Sequence, residues 1–251
     1  MQAEERHQLI LQTLEQQGQV TIADLSSRFS VSEMTIRRDL GQLEGEGLLR
    51  RTHGGAARSA SGSFEPPYPL RARMNLDAKR QIAASVAGQI SDGQTVILDG
   101  GTTGMAVAEA LAGRSLTVCA LNLRVADTLA SSPNTRVMTP GGFIRHGELS
   151  ISGPAAERTL GDHRFDVYVM TVSAVDVEAG FTEWNVDDAA VKRAALAAAG
   201  RCVVASDSTK FGLTAFARIA PLGAADLIVT DSGIDTEHRK AVSAGTVLRI
   251  A

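Results

Sequence analysis

The sequence predicts an α/β protein with two domains, an N-terminal winged helix-turn-helix and a C-terminal doubly wound, mostly parallel sheet. Two observations carry this prediction. Short amphipathic helical patterns followed by a Gly-Gly turn occupy the first 57 residues. Later, apolar runs typical of buried strands alternate with helical patterns, which is characteristic of a parallel sheet covered on both faces.

A change in composition divides the two parts of the chain. The stretch "ARSASGSFEPPYP" is small, polar and rich in proline, as a linker is. We therefore expect a small helical module with a hairpin over residues 1–57, a linker over 58–74 and a larger domain over 75–251.

Composition limits the classes of function. The 251 residues are 44% hydrophobic and 21% charged, with a formal net charge of -3, as in an ordinary globular protein. Cys119 and Cys202 lie in apolar runs, which predicts buried reduced thiols. The histidines lack metal-ligand spacing, so we expect no metal and no cofactor. Without a signal-like or membrane-spanning segment, the sequence predicts a cytoplasmic protein with no membrane partner.

Two capped helices form the core of the N-terminal prediction. Thr21 stands three residues before Asp24, a capping pair, and Ser32 is placed to cap the next helix. That second helix repeats Ile36, Leu40 and Leu43 on one face. Two short helices joined by a tight turn are the pattern of a helix-turn-helix.

The polar side of the second helix predicts contact with DNA. Residues 28–58 hold six arginines against four acidic residues, so the basic surface is local. The start of a recognition helix enters the major groove, and the basic hairpin "GLLRRTHGGA" would lie along the backbone or minor groove. The predicted DNA-binding residues are Ser32, Thr35, Arg37, Arg38, Arg50, Arg51 and His53. The alternative is a solvated surface whose arginines pair with Glu33, Asp39 and Glu44.

Six apolar runs predict the strands of the second domain: "TVILDGGTTG", "LTVCALN", "TRVMTPGG", "FDVYVMTVS", "RCVVASDSTK" and "ADLIVTDSG". Helical patterns such as "AKRQIAASVAGQI" and "DDAAVKRAALAAAG" lie between them. In open sheets of this type, ligands bind beyond the carboxyl ends of the strands. The polar residues of these runs gather at those ends.

The glycine-rich loop after the first of these strands has the features of an anion site. Asp99, Gly101, Thr102 and Thr103 precede the helix "MAVAEAL", whose N-terminal N–H groups and threonine hydroxyls suit a phosphate. The loop lacks a P-loop lysine and the G-x-G-x-x-G pattern, which argues against nucleotide hydrolysis and NAD binding. A plain chain-reversing turn is the alternative for this stretch alone.

Two further loops add polar groups at the same predicted edge. "SDSTKFG" supplies Asp207 for sugar hydroxyls and Lys210 for phosphate, and "TPGGFIRHGE" supplies Gly141, Gly142 and Arg145. A surface ion pair between Lys210 and Asp207 is the alternative.

These motifs together resemble the DeoR family of bacterial transcription regulators. "VSEMTIRRDLGQLEGEGLLRRTHGGA" is similar to the family's winged helix-turn-helix, and "LDGGTTGMAVAEAL", "SDSTKFG" and "VTD" are similar to its C-terminal domain. The resemblance implies a sensor domain related to sugar-phosphate isomerases. It also implies that Asn122 joins Asp99, Gly101, Thr102, Thr103, Asp207 and Lys210 in a pocket for a phosphorylated sugar or polyol.

Within that family, "FTEWNVDDAAVKRA" looks most like the glycerol 3-phosphate regulon repressors, although Leu121 and Asp188 depart from the usual threonine and glutamate. We therefore predict a non-catalytic repressor of a carbohydrate or polyol operon that a phosphorylated sugar or polyol, glycerol 3-phosphate being one candidate, releases from double-stranded operator DNA. A homo-oligomer, dimer or tetramer, is expected. The alternatives are an isomerase-like or deaminase-like enzyme with an appended DNA-binding module, and an architectural DNA-binding protein without a ligand.

Overall fold

The computed structural model describes residues 2–45, 48–57 and 65–251, apart from the side chains of Glu4, Gln8, Glu15 and Gln16. The chain forms two compact units, Met1–Pro66 and Pro67–Ala251. Residues 58–64 of the predicted linker lie outside the described residues, and a short helix inside the same predicted linker belongs to the second unit. The predicted domain limits stay a prediction.

The first unit is a winged helix-turn-helix, as predicted. Its strands form an antiparallel sheet in the order β1-β3-β2. In chain order the elements are α1 (Ala3–Gln17), β1 (Gln19–Thr21), α2 (Ile22–Phe29), α3 (Glu33–Gly45), β2 (Arg50–Thr52) and β3 (Gly55–Ala57). The sequence predicted the β2–β3 hairpin but missed β1, because three residues between two helices give no alternation to detect.

Caps define the helix-turn-helix in the way that the sequence predicts. The hydroxyl of Thr21 accepts a hydrogen bond from the backbone N–H of Asp24 at 3.1 Å, and Ser32 accepts one from Thr35 at 3.2 Å. Ser30 ends α2 in the left-handed conformation, with φ of 53°. These contacts turn the chain sharply from α2 into α3.

A buried ion pair joins α1 to α3. Asp39 accepts hydrogen bonds from Arg6 Nε at 2.5 Å and from Arg6 Nη2 at 3.0 Å, and its Oδ1 also lies 3.0 Å from His7 Nε2. Burial alone would raise the pKa of Asp39, but the hydrogen bonds from Arg6 and His7 hold it below its ordinary value. Because Ile36 and Leu40 on the same helix are fully buried, α3 is fixed by both apolar and charged contacts.

The second unit is a seven-stranded parallel sheet in the order β15-β14-β12-β9-β4-β5-β6. Its elements are α4 (Tyr68–Arg71), α5 (Leu76–Ala87), β4 (Thr95–Leu98), α6 (Gly101–Leu111), β5 (Leu116–Ala120), α7 (Leu123–Ala130), β6 (Thr135–Met138), β7 (Phe143–Ile144), β8 (Ile151–Ser152), α8 (Pro154–Gly161), β9 (Val167–Thr171), β10 (Ala174–Asp176), β11 (Gly180–Glu183), α9 (Val186–Ala198), β12 (Cys202–Ala205), β13 (Ala217–Ala220), β14 (Leu227–Thr230), α10 (Thr236–Ser243) and β15 (Leu248–Ile250).

Helices cover both faces of this sheet, so the doubly wound prediction is confirmed. One core layer contains Ile82 of α5, Val107 of α6 and Leu129 of α7. The opposite layer contains Leu160 of α8 and Val191 of α9. The strands alternate between these layers, as a sheet buried on both faces requires.

All six predicted apolar runs form strands of the parallel sheet. The sequence did not predict β15, the two-stranded hairpin β7–β8, or a small antiparallel sheet in the order β10-β11-β13. These strands are two to four residues long, too short to show a period in the sequence.

Both cysteines are buried free thiols, as predicted. Burial raises the pKa of Cys119 and that of Cys202 to about 12, which keeps each thiol protonated at neutral pH. Among the described helices, none is both long and apolar enough to cross a membrane.

The Arg6–Asp39 pair yields a stability prediction. Asp39→Asn removes the partner of a buried guanidinium, so the first unit should lose about 3–5 kcal/mol of unfolding free energy at pH 7. In the parent protein, the contribution of Asp39 is present above the unfolded carboxyl's pKa and is lost as the pH falls through the lowered native pKa. Hydrogen exchange of the α1 and α3 amides measures both effects.

The exposed pair Arg37–Glu33 provides the control. Glu33→Gln should change the exchange of the same amides by less than about 1 kcal/mol, because exposed ion pairs contribute little. Equal protection of α3 in Asp39→Asn and in the parent protein would show that the ion pair does not fix the helix.

Candidate functional sites

The predicted DNA-reading residues of α3 lie on its outer surface. Ser32, Arg37 and Arg38 are exposed, and Thr35 is half-buried beside the Ser32 hydroxyl, 2.9 Å away. Arg37 Nη2 lies 3.2 Å from Glu33 Oε2 one turn earlier. The start of α3 therefore presents hydroxyl and guanidinium groups together.

The predicted wing residues lie on an exposed hairpin. Arg50 and Arg51 are in β2, His53 is in the turn, and all three side chains are exposed. The backbone N–H of Arg51 donates to Glu44 Oε1 at 2.9 Å, which ties the wing to the end of α3. The wing is thus held against the same helix whose start carries the predicted reading residues.

The alternative interpretation, in which acidic neighbours neutralise these arginines, receives limited support. The Glu33 pairing with Arg37 is exposed on both sides and is therefore weak. Asp39 is directed inward to Arg6 and His7.

In the second unit, the winding of the sheet indicates where a ligand site forms. From β4 the chain proceeds through β5 to β6 on one side, and from β9 through β12 to β14 and β15 on the other. The strand order reverses between β4 and β9, and open α/β sheets bind ligands at the carboxyl ends of such a pair. The loop that contains Asp99, Gly101, Thr102 and Thr103 follows β4 at this point.

The loop requires glycine at two positions. Gly101 opens α6 with φ of 72°, a left-handed conformation that other residues rarely adopt. A Cβ on Gly104 would lie 2.4 Å from the carbonyl oxygen of Asp99, so α6 packs directly on the loop. The first N–H groups of α6, those of Gly101–Thr103, lack partners within the helix, and such N–H groups are the ones that bind anions at helix N-termini.

Asp99 is a buried anchor of this loop. Its Oδ1 accepts a hydrogen bond from Gly100 N at 2.8 Å, and its Oδ2 accepts bonds from the backbone and side chain of Thr171 at 3.2 Å. The same Oδ2 lies 3.1 Å from Lys192 Nζ. Asp99 thereby connects the end of β4 to the end of β9.

Lys192 completes a buried charge network. Its ammonium group contacts Asp99, donates to Glu183 Oε2 at 2.5 Å and donates to the Thr171 carbonyl at 2.9 Å, which accounts for its three protons. Burial alone would lower the pKa of Lys192, but the Asp99 and Glu183 carboxylates raise it well above its ordinary value. Burial alone would raise the pKa of Glu183, but Lys192 holds it below its ordinary value. The lysine is therefore charged and immobile.

Asn122 is likewise buried and bonded on both sides of its amide. Its Oδ1 caps α7 through the Arg124 N–H at 2.8 Å, and its Nδ2 donates to the Glu148 carbonyl at 2.8 Å. A Cβ on Gly100 would lie 2.7 Å from that Nδ2. Asn122 thus packs against the glycine-rich loop and fixes its position.

Asp207 and Lys210 lie in the turn after β12. Asp207 is buried, and its Oδ1 accepts bonds from the backbone N–H of Thr209 at 3.1 Å and from Asn75 Nδ2 at 3.4 Å. Lys210 is half-buried, with its Nζ 5.1 Å from the centre of the Trp184 ring. The alternative interpretation, a surface ion pair between Lys210 and Asp207, does not appear among the ion pairs of the described residues.

The third predicted loop, which contains Gly141, Gly142 and Arg145, packs against the β7–β8 hairpin and α9. Gly142 has φ of 113° and packs against Ser152, while Gly141 has φ of 75°. Arg145 forms an ion pair with Asp188 at 2.7 Å and donates to Ser150 at 3.2 Å. Burial raises the pKa of Asp188 despite the opposing effect of Arg145. These groups belong to the β7–β8 hairpin and its contact with α9.

The cluster of side chains around the glycine-rich loop also includes four residues to which the sequence-based prediction assigned no role: Tyr68, Arg71, Glu148 and Trp184. The Arg71 guanidinium forms an ion pair with Glu148 and lies 5.9 Å from the ring centre of Trp184. A Cβ on Gly101 would lie 3.9 Å from Arg71 Nη1. The motif "PLRARMNL" contains Arg71, but its place beside a loop thirty residues later depends on tertiary packing.

Comparisons with known families agree with this architecture. A DeoR-like helix-turn-helix domain matches residues 6–61, and a domain described as the DeoR C terminal sensor domain matches residues 74–232. The chain belongs to the DeoR family. The resemblance predicted from the sequence is thereby confirmed.

Several relatives of this DeoR-family chain are similar over nearly their whole length. The putative aga operon transcriptional repressor of Escherichia coli O157:H7 is 34% identical over 93% of this chain and 88% of that protein. The glycerol-3-phosphate regulon repressor of Escherichia coli K12 is 34% identical over 92% of both proteins. The transcriptional repressor AccR of Agrobacterium fabrum is 36% identical over 93% of this chain and 91% of that protein.

Similarity to solved structures is lower. Ribose 5-phosphate isomerase A from Methanocaldococcus jannaschii is 15% identical over 55% of each chain, with a TM-score of 0.41. The structure of a RipA mutant is 13% identical over 73% of this chain and 52% of that chain, with a TM-score of 0.45.

The Lys192 network of this DeoR-family regulator yields a second stability prediction. Lys192→Met leaves the buried carboxylates of Asp99 and Glu183 without their cation, so the second unit should lose about 3–5 kcal/mol of unfolding free energy. Trp184, the only tryptophan of the chain, reports that unit in a urea titration. Its backbone N–H donates to Glu183 at 2.8 Å, which places it beside the network.

Lys240→Met is the matched control, because Lys240 is exposed on α10. Its effect should stay within about 0.5 kcal/mol. Equal urea midpoints for the two variants would show that the network does not stabilise the second unit.

Proposed function

We propose that this DeoR-family regulator represses a carbohydrate or polyol operon and that a phosphorylated sugar or polyol releases it from operator DNA. The names of its relatives, which include repressors of an aga operon and of a glycerol-3-phosphate regulon, support the class of target genes. Glycerol 3-phosphate is therefore the first compound to test. Because its relatives are regulators, we propose that the protein binds its ligand without catalysing a reaction on it.

One observation carries the effector proposal: a guanidinium lies beside the N-terminus of α6 at the strand-order reversal of the sheet. A phosphate placed at Gly101–Thr103 would meet backbone N–H groups, threonine hydroxyls and Arg71. Lys210 adds a second cation near Trp184, with its Nζ 5.1 Å from the ring centre. Together these groups match the charge and the donor geometry of a phosphate ester.

The carboxylates near this position support binding rather than catalysis. A general base needs a carboxylate oxygen within hydrogen-bond reach of the proton that it removes. Both carboxylate oxygens of Asp99 are bonded, to Gly100, Thr171 and Lys192, and Asp207 Oδ1 is bonded within its own turn and to Asn75. We therefore assign Asp99 a positioning role in the pocket and Asp207 the role toward sugar hydroxyls that the sequence predicts.

Release from DNA requires that the effector bind more tightly to the form with lower operator affinity. A single small module makes too few contacts for selective binding, so we propose a homo-oligomer that reads repeated half-sites about one helical turn, or a multiple of it, apart.

The first functional prediction concerns operator binding. Arg38→Ala should weaken binding to the operator by about 1–3 kcal/mol if its guanidinium reads a base. Arg50→Ala should weaken binding to all sequences equally and reduce the salt-dependence slope by about one unit, because a phosphate contact is lost. Fluorescence anisotropy with operator and scrambled DNA at several salt concentrations measures both.

Arg80→Ala, an exposed residue of α5 in the second unit, serves as the control and should leave both affinities unchanged. Unchanged affinity in Arg38→Ala and Arg50→Ala as well would refute the assigned DNA surface.

The second functional prediction concerns the effector. A hundredfold excess of glycerol 3-phosphate over its Kd should raise the unfolding free energy by about 2.7 kcal/mol. Glycerol should do much less, because it lacks the phosphate. Lys210→Ala and Thr102→Val should reduce the response, since each removes a phosphate donor, without weakening DNA binding in the absence of ligand. Thermal unfolding with and without each compound measures the shift.

Lys240→Ala, an exposed lysine outside the cluster, should respond like the parent protein. If none of a panel of sugar and polyol phosphates stabilises the parent protein, the effector class is wrong. If Lys210→Ala keeps the full response, the position of the site is wrong.

A further inference from the structure

The first helix of the second unit lies on the proposed effector loop. Helix α4 ends at Arg71, whose guanidinium is close enough to Gly101 that a Cβ there would be 3.9 Å from Nη1. Arg71 also lies 5.9 Å from the ring centres of Tyr68 and Trp184. A cation carried by the start of the second unit thus borders the position assigned to phosphate.

The backbone of this segment is fixed. Lys79 is buried in α5, and its Nζ donates hydrogen bonds of 2.6 Å to the carbonyls of Arg71 and Met74. The peptide groups at the end of α4 are therefore held in place. A change of partner by Arg71 can occur in its side chain.

Glu148 is the carboxylate that holds this guanidinium. It is buried at 7% exposure and forms an ion pair with Arg71. Its carbonyl accepts bonds from Asn122 Nδ2 at 2.8 Å and from Arg124 Nη1 at 2.6 Å. The next residue, Leu149, has φ of 60°, a strained conformation for leucine. The turn thus directs a carboxylate at the cation nearest to the anion loop.

We propose that Arg71 is a phosphate ligand of the effector site and that Glu148 competes with the phosphate for it. This inference rests on the proposed effector function. A phosphate at Gly101 lies within reach of the guanidinium, and guanidinium–phosphate pairs are strong and bidentate. In the free protein the same guanidinium is paired with the Glu148 carboxylate, so phosphate binding requires Arg71 to exchange Glu148 for the ligand.

This exchange links effector binding to the start of the second unit. The second unit begins at Pro67, and its first helix, α4, ends at Arg71. Two discrete partners for Arg71 make a two-state element that ligand binding biases. The contacts that hold α4 then differ between the free and the bound protein.

Variants that remove the charge of Arg71 or of Glu148 test the proposal. The full-length protein is titrated with glycerol 3-phosphate and, separately, inorganic phosphate at constant ionic strength, and Trp184 fluorescence is recorded. Glu148→Gln should bind both probes about tenfold more tightly, because the competitor is removed. Arg71→Met should bind both about tenfold more weakly. In the Arg71→Met background, Glu148→Gln should change the Kd less than about twofold.

Two controls separate the proposal from simpler effects. Glu178→Gln removes an exposed carboxylate in the β10–β11 turn and should bind like the parent protein. Arg71→Met alone leaves the buried Glu148 carboxylate unpaired and could unfold the protein for that reason. The double variant Arg71→Met/Glu148→Gln removes both buried charges and replaces the single variant if that variant unfolds. In that case, the proposal requires the double variant to bind about tenfold more weakly than the parent.

The outcomes distinguish this inference from the function on which it rests. If both probes alter Trp184 emission in the parent protein but Arg71→Met, or the double variant in its place, binds them equally well, the inference is wrong and the effector site stands. If Glu148→Gln tightens binding equally with and without Arg71, its effect is general repulsion and the exchange is refuted. If neither probe changes emission but a compound of the wider sugar and polyol phosphate panel stabilises the parent protein, phosphate does not bind beside Arg71 and this inference is wrong. If no compound of that panel stabilises it, the effector class is wrong as well.

Discussion

The second unit depends on the buried ammonium of Lys192. It joins Asp99 after β4, the carbonyl of Thr171 at the end of β9 and Glu183 at the end of β11, and so connects the two strands at which the sheet reverses its winding. A buried charge stabilises a fold only when its partners and geometry are complete. Lys192 meets that condition with three acceptors, and its contact with Asp99 fixes the position of the glycine-rich loop.

The same principle operates on a smaller scale in the DNA-binding unit. Asp39 lies on the inward side of the recognition helix and binds Arg6 and His7, while Arg37 and Arg38 on the same helix remain exposed. Its carboxylate is thereby directed away from the surface that we propose contacts the DNA phosphates. One acidic residue thus orients the helix without weakening the local positive charge that a DNA contact needs.

Much of the fold could be predicted because its signals are local. The caps at Thr21 and Ser32, the apolar face of α3 and the six buried strands each occupy a few consecutive residues. The candidate site was predictable only as a set of loops. Arg71 and Glu148 lie far apart in the chain and meet through packing, and no local pattern indicates that Asp99 and Asn122 are anchors with committed hydrogen bonds.

The pairing of β4 with β9 has a consequence for how the chain is made. Val96 pairs with Val167 across some seventy residues, whereas all strands of the first unit pair within residues 19–57. Contacts between distant residues form slowly, and domains near the N-terminus fold first during synthesis. A nascent chain therefore acquires its operator-reading module while its sensor sheet is still incomplete. During that interval, the growing polypeptide has a helix-turn-helix unit but no completed sheet at its proposed effector site.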